Sequence, residues 1–83
     1  MVNERIRALR KALRMTQQDV ANRTGIRRTN VVRLESGALK ATLSSTRRLL
    51  GNAFGMSLDV IDDYLEGVIT LEDALAHRTE RAA

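Results

Sequence analysis

The chain contains no cysteine and no proline, and Phe54 and Tyr64 are its only aromatic residues. Without cysteine there is no disulfide and no thiolate chemistry, which fits a reducing compartment. Without proline no interruption of that type breaks a helix. With aromatics at 2%, the hydrophobic 43% is made of Leu, Val, Ile, Ala and Met, a balance that suits helices better than a sheet. No stretch approaches the length of a bilayer span. Met1 to Arg14 carries Arg5, Arg7, Arg10, Lys11 and Arg14 with no apolar run after it, unlike a signal peptide. The expectation is one small, cytoplasmic, all-α domain, because 83 residues leave no room for two cores.

The formal charge of +4 conceals a strong asymmetry. Residues 1–48 hold twelve Lys or Arg against Glu4, Asp19 and Glu35, an excess of nine positive charges. Residues 49–83 hold two against seven acids, a deficit of five. A basic half of this strength points to a polyanionic partner and the acidic half to a part turned away from it; a merely solvated basic surface is the alternative.

Apolar spacing divides the chain into six short helices. Val2, Ile6, Leu9 and Leu13 form one stripe of a helix over about 3–14. Thr16, with Asp19 three residues on, caps a second over 17–23. Gly25 marks a sharp turn, and Ile26, Val31 and Leu34 give the inner face of a third over 28–35, ended by Gly37. A fourth starts at Thr42 or Leu43, with Leu43, Thr46, Leu50 and Ala53 or Phe54 inward and Gly51 as an internal weak point. Ser57 caps a fifth with two stripes, Leu58, Ile61, Leu65 and Val60, Tyr64. Thr70 and Asp73 open a short sixth carrying Leu71, Ala74 and Leu75, and a charged tail from Arg78 frays.

Two short helices around a glycine turn, the second opening with Arg, Thr and Asn, have the dimensions of a device that enters a DNA major groove. The run MTQQDVANRTGIRRTNVVRLESG resembles the Cro/cI-type (XRE family) helix-turn-helix, with Thr16, Gln17, Val20, Ala21, Gly25, Ile26, Val31, Leu34, Glu35 and Gly37 in register. The likeness continues to FGMSLDVI, so it spans about residues 3–65. It implies a five-helix domain over 1–66 plus a short additional C-terminal helix in an extension, 67–83, and double-stranded operator DNA as partner. Such a protein acts as a transcriptional regulator, a repressor in the first reading.

The resemblance also distributes roles. Arg28, Thr29 and Arg33 align with positions that face base edges, where arginine holds guanine bidentately and threonine offers a hydroxyl and a methyl; contact to phosphate alone is the alternative. Gln17 falls where relatives meet a phosphate and brace the recognition helix, and Lys40 is what remains of their basic loop; the helix N-terminus at Thr16, and Arg27 and Asn30, are expected to meet phosphates as well. Arg27 departs from the serine or threonine that often caps the recognition helix, a loss of about 1 kcal/mol of capping. Arg10 and Glu35 match a largely buried ion pair that fixes the first helix to the third. Arg47 and Arg48 are further candidates for phosphate, or a solvated face.

Catalysis is not expected: His77 stands alone, and no nucleophile set or phosphate-cradling glycine loop assembles. Asp59, Asp62, Asp63 and Glu66 read as a solvated helix face, not a metal site, and no cofactor is implied. The main alternative is a protein partner, as in antitoxins or anti-regulators of the same fold. RNA is a third reading, weakened by the scarcity of stacking aromatics. Val60, Tyr64, Val68, Ile69, Leu71 and Leu75 exceed the needs of one small core, and suggest either a homodimer reading a palindromic operator or a sixth helix folded back on its own domain.

Overall fold

The computed structural model describes residues 2–78. Six helices fill that span: α1 (Val2–Ala12), α2 (Gln17–Thr24), α3 (Arg28–Ser36), α4 (Ser44–Phe54), α5 (Leu58–Leu65) and α6 (Leu71–Ala76). Among the described residues there is no strand, and no helix is long and apolar enough to cross a membrane.

Three of the helices, α2, α5 and α6, begin where hydroxyls and carboxylates satisfy their free amides. Thr16 Oγ1 accepts from the Asp19 amide at 3.0 Å while the Asp19 carboxylate accepts from the Thr16 amide at 2.8 Å. Thr70 and Asp73 repeat this reciprocal cap on α6, and Ser57 caps α5 through the Val60 amide. The amide and hydroxyl of Thr16 hold the Asp19 carboxyl below its ordinary value of 3.8. α3 has no such cap: Arg27 occupies the position and its side chain accepts nothing.

α1 ends two residues earlier than its apolar stripe suggests. The Arg14 amide donates to Lys11 O at 3.0 Å and the Met15 amide to Arg10 O at 3.1 Å, the pair of bonds of a Schellman ending with Arg14 in the left-handed position at φ 55°. Leu13 therefore lies on the turn, half-buried.

α1 packs on α3, α2 on α3 and α4, and α4 on α5, with α6 laid against α5 and α1. Ile6, Leu9, Val20, Val31, Leu34, Leu50, Phe54 and Ile61 are the centre of one continuous core. Gly51 is not a weak point but a close approach: a Cβ there would lie 2.8 Å from Met56 O and 3.4 Å from Ile61 Cγ2, so only glycine lets the α4–α5 corner close. Leu43 is 66% exposed, contrary to its expected place in the core, because it precedes the first helical residue and falls off the helical stripe.

Three further expectations are corrected. Tyr64 is 1% exposed and lies in the core rather than on an apolar surface, because α1 covers that side of α5. Its hydroxyl donates to Arg5 O at 2.7 Å, the Arg5 guanidinium stacks over its ring at 4.3 Å, and Arg5 donates to the carbonyls of Tyr64 and Ile69. Arg47 is buried, not offered to phosphate. Its Nε donates to Ala41 O at 2.7 Å, and Nη1 and Nη2 reach Asp62 at 3.3 Å and Glu66 at 2.5 Å. Burial opposes its charge, but hydrogen bonds to Glu66 and Asp62 outweigh burial and push its pKa up. Arg78 is docked rather than frayed, Nε donating to Phe54 O at 2.9 Å; the rest of the expected tail, 79–83, lies outside the described residues.

Candidate nucleic-acid interface

The turn between α2 and α3 fixes how α3 is presented. Gly25 adopts φ 77°, and its amide closes α2 on Ala21 O at 2.9 Å. Thr24, itself buried, donates its hydroxyl to Val20 O at 2.7 Å and accepts the Ile26 amide at 3.1 Å, so the chain leaves α2 along a hydrogen-bonded path. Ala21 is 6% exposed where α2 meets its neighbours, and a larger side chain would push the two helices apart.

α3 then divides cleanly. Val31, Leu34 and Glu35 face inward, while Arg27, Arg28, Thr29, Val32 and Arg33 are exposed and Asn30 is half-buried. Among the described residues Arg27, Arg28 and Arg33 have no ion-pair partner, so three guanidiniums stand unneutralised along one short helix. Lys40 is exposed on the α3–α4 loop, beside exposed Leu39.

Behind this face α3 is held from both sides. Arg10 grips Glu35 bidentately, Nε to Oε2 at 2.6 Å and Nη2 to Oε1 at 2.9 Å, and its Nη1 donates to Met15 O at 2.9 Å. The side chains of the pair are 11% and 4% exposed, so this is a buried, fully hydrogen-bonded clamp between α1 and α3. Gln17, at the first turn of α2, donates to the same carboxylate at 3.4 Å, and Asn3 donates to Glu35 O at 3.4 Å. Helix α3 is thereby braced by α1 and α2 at its inner end, leaving its basic face clear.

A groove of about 570 Å³ runs beside α3, lined by Arg10, Arg14, Met15, Thr16, Gln17, Gln18 and Arg28. It brings together Thr16, Gln17 and Arg28, three of the residues singled out from the sequence. Arg33 and Lys40 lie outside it, further along α3 and on the following loop. Arg14 and Gln18 also line the groove and were not singled out from the sequence as interface groups. The signal for Arg14 lies in the turn: the absence of glycine or asparagine between α1 and the Thr16 cap forces another residue into the left-handed conformation.

Val68 is 71% exposed, whereas Val60, Ile69, Leu71 and Leu75 are half-buried and packed against the core. Ala74 is fully buried, so α6 contributes to its own domain's core.

No curated protein and no solved structure matches the chain. A family model described as helix-turn-helix matches residues 6–61, well over half of the chain, from the middle of α1 to the middle of α5. The glycine-hinged α2–α3 pair, with its basic outer face, lies within the matched span, and the chain belongs to the Cro/cI-type (XRE) helix-turn-helix family of DNA-binding transcription regulators.

Proposed function

We propose that this protein is a sequence-specific repressor that inserts α3 into the major groove of double-stranded operator DNA. The observation that carries the reading is the exposed, unpaired row of Arg27, Arg28 and Arg33 on a helix whose inner face is locked by Arg10, Glu35 and Gln17. Arg28, Thr29 and Arg33 are the base readers; Thr16, Gln17, Arg27, Asn30 and Lys40 meet phosphates. Selection of bound sequences from random duplexes, repeated with Arg28→Ala, tests this. Loss of preference at one base position is the expected result, at a cost of about 1–3 kcal/mol. A uniform loss of affinity would move Arg28 to the phosphate group, and failure to enrich any sequence would sink specific recognition.

The described chain measures 29 × 29 × 21 Å, shorter than the roughly 34 Å between half-sites one DNA turn apart, so one copy covers one half-site. The proposed operator is a palindrome of two such half-sites, bound by a homodimer. Val68, together with the half-exposed parts of Val60, Ile69, Leu71 and Leu75, is the proposed contact. Sedimentation with Val68→Asp checks it: wild type dimerises and the variant does not.

A second reading, a protein partner of the antitoxin or anti-regulator kind, is favoured by one observation: Leu39 and Leu43 stand 41% and 66% exposed on the α3–α4 loop. Leu39→Ser and Leu43→Ser leave DNA binding intact under the first reading and abolish regulation under the second.

A further inference from the structure

We infer that Arg14 is a phosphate anchor, placed on the DNA backbone by the left-handed turn that ends α1. The inference rests on the DNA-binding reading and adds to it a residue that neither the motif nor the family frame assigns.

Three observations converge on it. First, Arg14 is the only non-glycine residue with positive φ among the described residues. The Schellman bonds from Arg14 N to Lys11 O and from Met15 N to Arg10 O over-determine that conformation, and they turn the chain so that the Arg14 side chain leaves α1 and enters the wall of the groove beside α3. Second, that groove is lined by Arg10, Arg14 and Arg28 with Gln17 and Gln18, and no carboxylate is among its lining residues. The two acids that border this region are both engaged: Glu35 is bound by Arg10 and Gln17 and turned inward, and the Asp19 carboxylate accepts the Thr16 amide. Third, Arg14 is exposed and has no ion-pair partner among the described residues, so its positive charge serves no contact within the domain.

The Schellman turn that carries Met15 into the core accounts for the backbone at Arg14, and the side chain it places on the groove wall is left free to meet a group outside the domain. Arg14 and Arg28 share one groove of about 570 Å³, so their common target is a polyanion whose charges repeat at short intervals. With α3 against the bases, the strand that passes Arg28 runs along this groove and brings a phosphodiester to Arg14. The planar fork of the guanidinium suits such an oxygen pair. Because the contact is to the backbone, it raises affinity for every sequence equally and carries no base preference.

The test separates charge from strain. Binding to a duplex of about 30 base pairs is followed by fluorescence anisotropy between about 50 and 200 mM salt for wild type, Arg14→Gly, Arg14→Ala and Arg14→Lys. The expected result is that Gly and Ala lower affinity several-fold and reduce the slope of log affinity against log salt by about 0.9, while Lys retains most of both. Arg14→Gly also melts a few degrees higher than wild type, since glycine relieves the turn, whereas Arg14→Ala does not. Unchanged affinity and slope in Gly and Ala, with wild type binding normally, would overturn the inference alone. Wild type that binds no duplex at any salt would overturn the DNA-binding reading beneath it.

Discussion

At the scale of single residues, the Arg10–Glu35 clamp has the largest stake in stability. Removing one partner leaves the other charged, buried and unpaired, so Glu35→Ala costs about 3–5 kcal/mol, whereas the double change Arg10→Met with Glu35→Leu costs less than either single one. Denaturant midpoints of the three variants check this, and a near-native Glu35→Ala would mean the pair is inert. Tyr64 contributes to the stability profile at alkaline pH. Burial pushes its phenol above its ordinary value of 10.0, with the nearby Arg5 charge pulling the other way. An acid whose pKa is raised by folding is favoured in its neutral form, so this contribution is complete below about pH 10 and is lost as pH rises above it. Tyr64→Phe flattens the stability profile there, and since this is the only tyrosine, its ultraviolet titration reports the same group directly. The clamp was legible in the sequence because the helix-turn-helix frame that the chain resembles places both partners at a set spacing. Tyr64 and Arg47 were misread because periodicity describes a helix against one neighbour, while α5 is packed by α1, α4 and α6 together. Nor does composition distinguish an arginine that faces solvent from one, like Arg47, that ties a loop carbonyl to two acids.

At the scale of elements, α3 and α4 both start without a side-chain cap, and at α3 the cap position carries a basic surface residue instead. Arg27→Ser supplies the missing acceptor and stabilises the fold by about 1 kcal/mol, a rise of roughly 4–8 °C in melting temperature for a domain of this size. It lowers DNA affinity at the same time; a variant that melts higher and binds equally well would show that Arg27 touches no phosphate. The α4–α5 corner makes the opposite case. Gly51→Ala improves helix propensity by about 1 kcal/mol yet meets the Met56 carbonyl, and the clash prevails, giving a net loss of about 1–2 kcal/mol by thermal or chemical denaturation. Starts of elements were easier to read than ends. Thr16, Ser57 and Thr70 announce their helices through local hydrogen bonds that depend on two or three neighbours only. The end of α1 is set by where Met15 must go: buried at 9% exposure, it draws the chain inward two residues before the apolar stripe runs out.

At the scale of the whole molecule, charge and shape agree. The positive excess of residues 1–48 includes α2, α3 and the Arg14 turn, and the acids of 49–83 are partly consumed inside the domain, where Asp62 and Glu66 hold Arg47. Affinity for any duplex therefore falls steeply with salt, with a slope of about −0.9 for each phosphate neutralised. The Arg5 cluster has a consequence for how the domain assembles. Arg5 binds the carbonyls of Tyr64 and Ile69, 59 and 64 positions further along, and so fastens the first turns of the chain to the α5–α6 junction. That contact closes nearly the entire polypeptide into a loop, and its entropy must be met before the bonds it makes repay it. Local pairs such as α2 with α3 do not wait for it. The expected consequence is that the beginning of α1 and the whole of α6 open as one cooperative unit before the rest of the domain. Their amides exchange with solvent through a shared opening in wild type and through separate openings in Arg5→Ala, leaving the DNA-reading half folded while the ends breathe.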